Sequence, residues 1–258
     1  MRKIDIHCHL RSRNLQEDLR HLRRDALVYD IEQYFLISTY FPSRESGIGN
    51  YRLYHHIQHN DLFRLWVSLD FGNFFMGFNE IEELLDIDPE KIVGLKVFTG
   101  YQEIDLASEK MERMLCLART HKKPMMFHTG YVKSQSNIMD VEDIMPVVAS
   151  NPDISFVFAH LGVPYIEKTV KYLRTNPNLY TDISGLMGNE QDLQRAKNIF
   201  KSFADLNPPA DQVLFGTDYP IQDIGTTIDI MNAAEWTEEE QEKVYYSNAK
   251  KLFGTDLL

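Results

Sequence analysis

Two histidines stand two residues apart near the start of the chain, in Asp5-Ile6-His7-Cys8-His9. On a β-strand such residues share a face and lie roughly 7 Å apart along the chain. Both imidazoles can then turn onto one ion, and Asp5 lies on the same face. Ile4, Ile6 and Cys8 take the other face, which suits a core. Histidines satisfied by hydrogen bonds alone would show the same local pattern. What separates the two readings is whether later segments bring further ligands to the same place.

Further apolar runs carry or end in polar residues of the needed types: Lys96, His128, His160 and Asp218. Borderline-soft zinc takes imidazole and carboxylate ligands, and in catalytic sites it keeps one position open. His7, His9, His128 and Asp218 can supply such a set. A divalent ion held there would lower the pKa of a bound water to about 7 and make a nucleophile at neutral pH. Asp218 can both ligate the ion and take that proton. His160 suits a second metal position or general acid–base work. Lys96 shares a strand face with Gly94 and Phe98, opposite Val93, Leu95 and Val97, so it is expected to point inward. There it would either pair with a carboxylate such as Asp5 or Asp218, or join the metal site.

These residues need a scaffold that gathers strand ends. Short apolar runs read as strands at Lys3–His9, Tyr34–Tyr40, Phe63–Asp70, Ile92–Phe98, Pro124–His128, Ile154–His160, Leu179–Ser184 and Gln212–Asp218. They recur at a spacing of about 30 residues, the length of one βα unit. Amphipathic stretches fill the gaps at Leu15–Val28, Ser108–His121, Asp140–Ser150, Tyr165–Arg174 and Glu190–Ala204. Thr237 with Glu240 reads as a capping box that opens the last helix, and Gly254 stands where a C-terminal cap belongs. This alternation predicts a single-domain α/β protein, a (β/α)8 TIM barrel over residues 1–258. Runs such as Ile-Ser-Phe-Val-Phe-Ala are apolar on both faces, as a helix-covered parallel sheet requires. The alternative is an open doubly wound sheet. No Gly-x-Gly-x-x-Gly follows the first strand, which removes support for its dinucleotide-binding form.

Composition narrows the partners. The chain has 258 residues and a formal net charge of −11, which repels polyanions and argues against nonspecific nucleic-acid binding. Cys8 and Cys116 make no disulfide framework and fit buried thiols in a reducing compartment. The charged first residues contain no signal-peptide core, and no run approaches the ~20 apolar residues of a membrane span. A cytoplasmic protein acting on a small molecule is expected, with no membrane partner and oligomeric state open.

The whole pattern resembles the amidohydrolase superfamily. The matching pieces are Asp-Ile-His-Cys-His at 5–9, Gly-Leu-Lys at 94–96, Phe-His-Thr-Gly at 127–130, Ala-His-Leu-Gly at 159–162, Asp-Ile-Ser-Gly at 182–185 and Phe-Gly-Thr-Asp-Tyr-Pro at 215–220. Asn-Ala-Lys-Lys-Leu-Phe-Gly at 248–254 is similar to the last helix of its amidohydrolase-related branch. The resemblance implies a distorted TIM barrel with one or two divalent ions, often zinc. His7, His9, His128 and Asp218 would be ligands, and His160 a ligand or an acid–base residue. Lys96 matches a position that is carbamylated and bridges two metals in some members; in this branch a Gly-x-Lys often accompanies a single ion. Deoxyribonuclease relatives usually carry a glutamate on strand four where Lys96 stands. Polymerase-and-histidinol-phosphatase relatives expect a late Asp-x-His that this chain lacks.

The resemblance implies a metal-dependent hydrolase of an ester, lactone, amide or phosphoester. The alternative within the branch is a metal-dependent non-oxidative decarboxylase of an aromatic or unsaturated acid. A binding module without turnover is a third reading. Arg11 and Arg13 follow the first strand and could grip a substrate carboxylate or phosphate. Tyr101, Gln102 and Tyr131 follow strands four and five and could line a pocket, while Asp182 and Ser184 could reach the mouth from strand seven. His55, His56 and His59 read as surface histidines, and Cys8 as core.

Overall fold

The computed structural model of the chain describes residues 1–11, 14–39, 47–130, 139–188 and 191–254. Eight parallel strands follow one another in chain order: β1 (Lys3–Cys8), β2 (Ile31–Ile37), β3 (Phe63–Ser68), β4 (Ile92–Val97), β5 (Met125–Phe127), β6 (Phe156–Phe158), β7 (Leu179–Asp182) and β8 (Val213–Leu214). The last strand returns to the first. The Ile6 N–H donates to the Phe215 carbonyl at 3.0 Å, the Asp218 N–H to His7 at 2.7 Å and the His9 N–H to Tyr219 at 2.7 Å. The sheet is therefore a barrel, and the open doubly wound alternative is ruled out.

Helices cover the outside because their apolar residues recur every three or four positions. α1 (Leu15–Tyr29) buries Leu15, Leu19 and Leu22. In α4, counting α2 (Asn50–Ile57) and α3 (Phe74–Ile87) before it, residues Glu109–Thr120 bury Met111, Met114, Leu115 and Ala118, and Ser108 caps the start by accepting from the Met111 N–H. Asp140 caps the next helix, Val141–Ser150, in the same way. The Thr237–Glu240 capping box forms, and Gly254 ends the final helix at φ 58°, a left-handed conformation that glycine adopts at low cost. Between the layers, Trp66, Phe35, Phe127, Phe156 and Phe158 are fully buried. Burial of such a side chain contributes about 1.5–3 kcal/mol. At Gly94 in β4 a Cβ would lie 2.2 Å from the Trp66 ring, so that close contact requires glycine.

Strands β5, β6 and β8 stop earlier than the apolar runs suggest. His128, His160 and Asp218 lie on the turns just beyond them. His160, Leu161 and Asp218 have positive φ values of 58°, 55° and 62°, which takes them out of the strand ladder. Polar groups at a barrel mouth are thus carried on exit turns. Cys8 is buried as expected, whereas Cys116 is exposed on the outer face of α4, which corrects its assignment as a buried thiol. His55, His56 and His59 are exposed. Among the described residues, no helix is long and apolar enough to cross a membrane.

Candidate metal centre and active site

Hydroxyl groups stitch the strand ends that carry the polar residues. Thr99, after β4, donates to the His128 carbonyl, and Thr129, after β5, donates to the Ala159 carbonyl. Thr181 in β7 donates to the Phe158 carbonyl at 2.8 Å. Thr217, after β8, donates to Asp5 Oδ2 at 2.7 Å, while Asp5 Oδ1 accepts from the His7 N–H at 3.2 Å and the Thr217 N–H at 3.1 Å. Asp5 is therefore a clamp between β1 and β8. Its burial pushes its carboxyl up to about 6, against the hydrogen bonds that favour the ionised form.

Within this frame His7, His9 and Asp218 converge, each offering one donor atom within 4.8 Å of the others. Asp218 Oδ1 lies 3.6 Å from His7 Nε2 and 3.4 Å from His9 Nε2. These separations are long for hydrogen bonds. They match the ~3.4 Å edge of a tetrahedron built on ~2.1 Å metal–ligand bonds. A divalent cation therefore fits between these atoms.

Behind His7 and His160 lies a second set of contacts. His7 Nδ1 is 2.8 Å from Asp182 Oδ2, and the His160 N–H donates to Asp182 Oδ1 at 2.9 Å. The Ser184 hydroxyl donates to Asp182 Oδ1 at 2.5 Å, and its oxygen lies 3.0 Å from His7 Nδ1 and 2.9 Å from His160 Nδ1. The ring centroids of His7 and His160 are 4.9 Å apart. Gly185 (φ 64°) passes so close that a Cβ there would lie 2.7 Å from Asp218 Oδ2 and 2.9 Å from His160 Nδ1. His7, His160 and Asp182 also meet the spacing for a metal cluster. His7 Nδ1 is already engaged by the Asp182 carboxylate and His160 Nδ1 by Ser184, so this set reads as support for the first.

The electrostatics favour an added positive ion. Burial keeps His7, His9, His128 and His160 neutral, each with its pKa lowered and His160 down to about 3, helped by neighbouring His and Lys96 charges. Neutral imidazoles are the form that ligates metal. Burial, with Asp182 and Asp5 nearby, pushes Asp218 well above the usual carboxylate range despite the attraction of Lys96. Burial likewise works against an ionised Asp182, yet His7, His160 and the Ser184 hydroxyl hold its pKa below the ordinary value. Lys96 is fully buried, its pKa lowered by burial to about 8 against the pull of Asp182 and Asp218, and its Nζ contacts Met126 Sδ at 3.1 Å. It points inward, as its strand face implies, and Asp5 is engaged elsewhere.

His128 stands slightly apart. Its Nε2 is buried with no hydrogen-bond partner among the described residues, an orphaned acceptor or donor of the kind that a metal or substrate completes. Its ring lies 5.0 Å from that of His160 and 4.7 Å from that of Tyr101. A pocket of about 230 Å³ opens here, lined by His9, Leu10, Arg11, Thr39, Gly47, Phe98, Tyr101, His128, His160, Asp218, Pro220 and Ile221. Arg11 reaches this rim with its guanidinium paired to Asp18, which is fully buried and also accepts from the Tyr219 hydroxyl at 3.1 Å. Gln102 turns aside: it accepts from the Phe71 N–H at 2.8 Å and donates to the Leu69 carbonyl at 2.9 Å, stapling two loops together. Arg13 and Tyr131 lie outside the described residues.

The structure thus gathers His7, His9, His128, His160, Lys96 and Asp218 at one mouth, with Arg11 and Tyr101 at its rim. Asp182 and Ser184 hold a central place that their sequence context only hinted at. The Asp-x-Ser spacing on an apolar strand was the available signal, since it puts both side chains on one face. Asp18 carried no such signal, because an acidic residue in the first turn of a helix is ordinary.

A closed barrel with a cation-ready cluster at the C-terminal strand ends defines a metal-centred (β/α)8 enzyme class. The amidohydrolase family profile matches residues 4–255, and the chain belongs to that family. No curated protein matches it. Solved structures share the fold over the full length. An uncharacterised TIM-barrel protein from Bordetella bronchiseptica superposes with TM-score 0.77 at 17% identity, covering 98% of this chain and 99% of that one. A 2,6-dihydroxybenzoate decarboxylase from Rhizobium gives 0.65 at 18%, covering 100% of each chain. A dihydroxybenzoic acid decarboxylase from Polaromonas, with bound manganese and 2-nitroresorcinol, gives 0.67 at 16%, covering 100% and 98%.

Proposed function

We propose that the chain is a divalent-metal-dependent, non-oxidative decarboxylase of a small aromatic or unsaturated carboxylic acid. The observation that carries this reading is the pocket of about 230 Å³, which Phe98 and Tyr101 line together with His9, His128, His160 and Asp218. A pocket of this size, with aromatic residues beside the ligand cluster, suits a single ring with its carboxyl group at that cluster. The decarboxylases among the structural neighbours support it and move the reading away from the hydrolysis that the sequence alone favours. His7, His9 and Asp218 would hold one divalent ion, with His128 completing its shell; zinc is the expectation from the donor set, and manganese from the Polaromonas structure.

When bound, the ion supplies positive charge that orients the substrate carboxylate and stabilises anionic charge on the substrate. The chain's own residues do the rest. Decarboxylation breaks the carbon–carboxyl bond, leaves the electron pair on the ring carbon and releases CO₂, so that carbon must gain a proton. Asp218 lines the same pocket; ionised as a ligand through Oδ1, it would take up a proton from solvent on Oδ2 and pass it to that carbon. His160 lines the same pocket, where a neutral imidazole can accept a hydrogen bond from a hydroxyl group of the acid. Arg11 and Tyr101 at the rim would hold a polar ring substituent or the outer edge of the acid. Arg13 and Tyr131 remain candidates for the same role.

Incubation of metal-loaded chain with a panel of hydroxybenzoates and unsaturated acids tests the reading by CO₂ release. The expected result is release that depends on manganese or zinc and disappears in chelator. Hydrolysis of an ester or lactone with no CO₂ from any acid would return the assignment to the hydrolase branch.

A further inference from the structure

We infer that Asp182 and Ser184 are positioning residues that lock His7 and His160 in the same tautomer, with the proton on Nδ1 and both Nε2 lone pairs turned toward the reacting side. The inference rests on the metal-centre reading above and adds the device that sets the ligands before any ion arrives.

The argument is an accounting of protons. An ionised carboxylate and a backbone carbonyl can only accept hydrogen bonds. His7 Nδ1 faces the Asp182 Oδ2 acceptor at 2.8 Å, so it must be the donor and carry the hydrogen. His160 Nδ1 faces the Ser184 carbonyl at 3.0 Å, so it too must donate. The Ser184 hydroxyl has one hydrogen, and the Asp182 Oδ1 contact at 2.5 Å takes it. Its oxygen is then left with lone pairs for both imidazoles, at 3.0 Å and 2.9 Å. Asp182 Oδ1 further accepts from the backbone N–H groups of His160 at 2.9 Å and Ser184 at 3.1 Å. In this arrangement every donor finds an acceptor. A proton on Nε2 of either histidine would leave its Nδ1 lone pair against an acceptor.

Burial makes this arrangement consequential. His7, Asp182 and Ser184 are at most 1% exposed, so water is not at hand to repair a wrong tautomer. His7 Nε2 then faces Asp218 Oδ1 at 3.6 Å, and the His160 ring lines the pocket. Partners that orient metal-bound histidines typically contribute about 10–100-fold to metal affinity.

Two-bond ¹⁵N–¹H spectra of ¹⁵N-histidine-labelled, metal-free chain test the inference at neutral pH. The expected spectrum shows Nδ1–H forms for both His7 and His160, and an Nε2–H form at either one overturns the inference on the unsubstituted protein alone. In Asp182→Asn the amide can donate as well as accept, so His7 is expected to show mixed tautomers and the Mn²⁺ dissociation constant to rise about 10–100-fold. Unchanged tautomers with Mn²⁺ affinity within about threefold of the parent would also overturn it. Should Asp182→Asn not fold, Ser184→Ala removes only the hydroxyl; several-fold weaker Mn²⁺ binding supports the inference, and equal binding refutes it. The spectra use neither metal nor substrate. A chain with the expected tautomers that binds Mn²⁺ but releases no CO₂ would therefore end the decarboxylase reading and leave this one intact.

Discussion

The two halves of the barrel mouth are built on different principles. Around β1, β7 and β8, the side-chain polar atoms of Asp5, His7, Asp182, Ser184 and Thr217 nearly all face a partner within hydrogen-bond distance. Around β4 and β5, among the described residues, Lys96 has only a methionine sulfur within hydrogen-bond distance, and His128 Nε2 has nothing. A satisfied network fixes geometry before any ligand arrives. An unsatisfied buried polar group costs about 1–3 kcal/mol, which a ligand can return on binding. The difference teaches which half is scaffold and which is receptor: the first presents the metal ligands, and the second is completed by what binds.

Gly185→Ala should break the scaffold half, and it carries the largest expected effect. The new Cβ would meet Asp218 Oδ2 at 2.7 Å and His160 Nδ1 at 2.9 Å, on a backbone at positive φ that alanine resists. Displacing two groups of the cluster by even 1 Å is expected to lower kcat/KM by about 100-fold or more. Mn²⁺ titration should show the loss of affinity, and circular dichroism a folded barrel. Full activity in this variant would mean that Asp218 and His160 are less rigidly placed than the network implies.

His128→Leu probes the receptor half and should separate activity from stability. It removes a buried orphan nitrogen and replaces the ring with an apolar side chain, so the metal-free chain is expected to gain about 1 kcal/mol by denaturant unfolding. Activity should fall by at least tenfold, because the pocket loses the group that ligand binding satisfies. The opposite stability change would show that His128 is paired in solution and that the two halves are alike.

How much of this contrast the sequence displays depends on range. The barrel is legible because hydrophobic runs and their regular spacing are local properties of the chain, and His7 and His9 are legible because two residues apart on a strand means one face. Lys96 pointing inward follows from the same alternation. The strand ends are not legible: His160 and Asp218 leave their strands through positive φ, a conformation imposed by closure of the barrel and absent from any propensity for His or Asp. Nor is the pairing of His7 with Asp182 legible, since it joins residues 175 positions apart. Cys116 is misplaced because cysteine usage alone reads an unpaired thiol as buried, whereas the helical spacing of Met111, Met114, Leu115 and Ala118 leaves it on the other face.

Lys96→Met tests the receptor half through pH. The lysine's pKa falls from 10.5 to about 8 on burial in the folded chain. Below pH 8 the group is charged in both folded and unfolded states, and the fold bears the full cost of burying that charge. Between pH 8 and 10.5 the folded chain releases the proton first, so the parent gains stability as pH rises through this window. The gain is roughly 3.5 kcal/mol at most, at about 1.4 kcal/mol per pKa unit. Metal-free Lys96→Met should lack this slope, and it should be more stable than the parent near pH 7. Parallel stability curves for the two would place Lys96 in an ion pair as complete as those of the scaffold half.

The smallest effect is expected at the outer edge of the scaffold half, where Asp18 holds Arg11 at the pocket rim. Asp18 is fully buried, and that burial opposes its charge, yet the hydrogen bonds and charge of Arg11 and the Tyr219 hydroxyl set its pKa below the usual carboxylate value. The stability it contributes is therefore complete above the ordinary carboxylate pKa and is lost as pH falls through the lower native value. Asp18→Asn keeps the shape and removes the charge, so the chain should lose about 1–2 kcal/mol near neutral pH and show a shallower decline in acid. If Arg11 meets the substrate, KM should rise several-fold while kcat changes less than about twofold, because a loosened guanidinium weakens ground-state binding without touching the proton donor. An equal fall in kcat with KM unchanged would instead place the Asp18–Arg11 pair in the support of Asp218, and the scaffold half would extend to the rim.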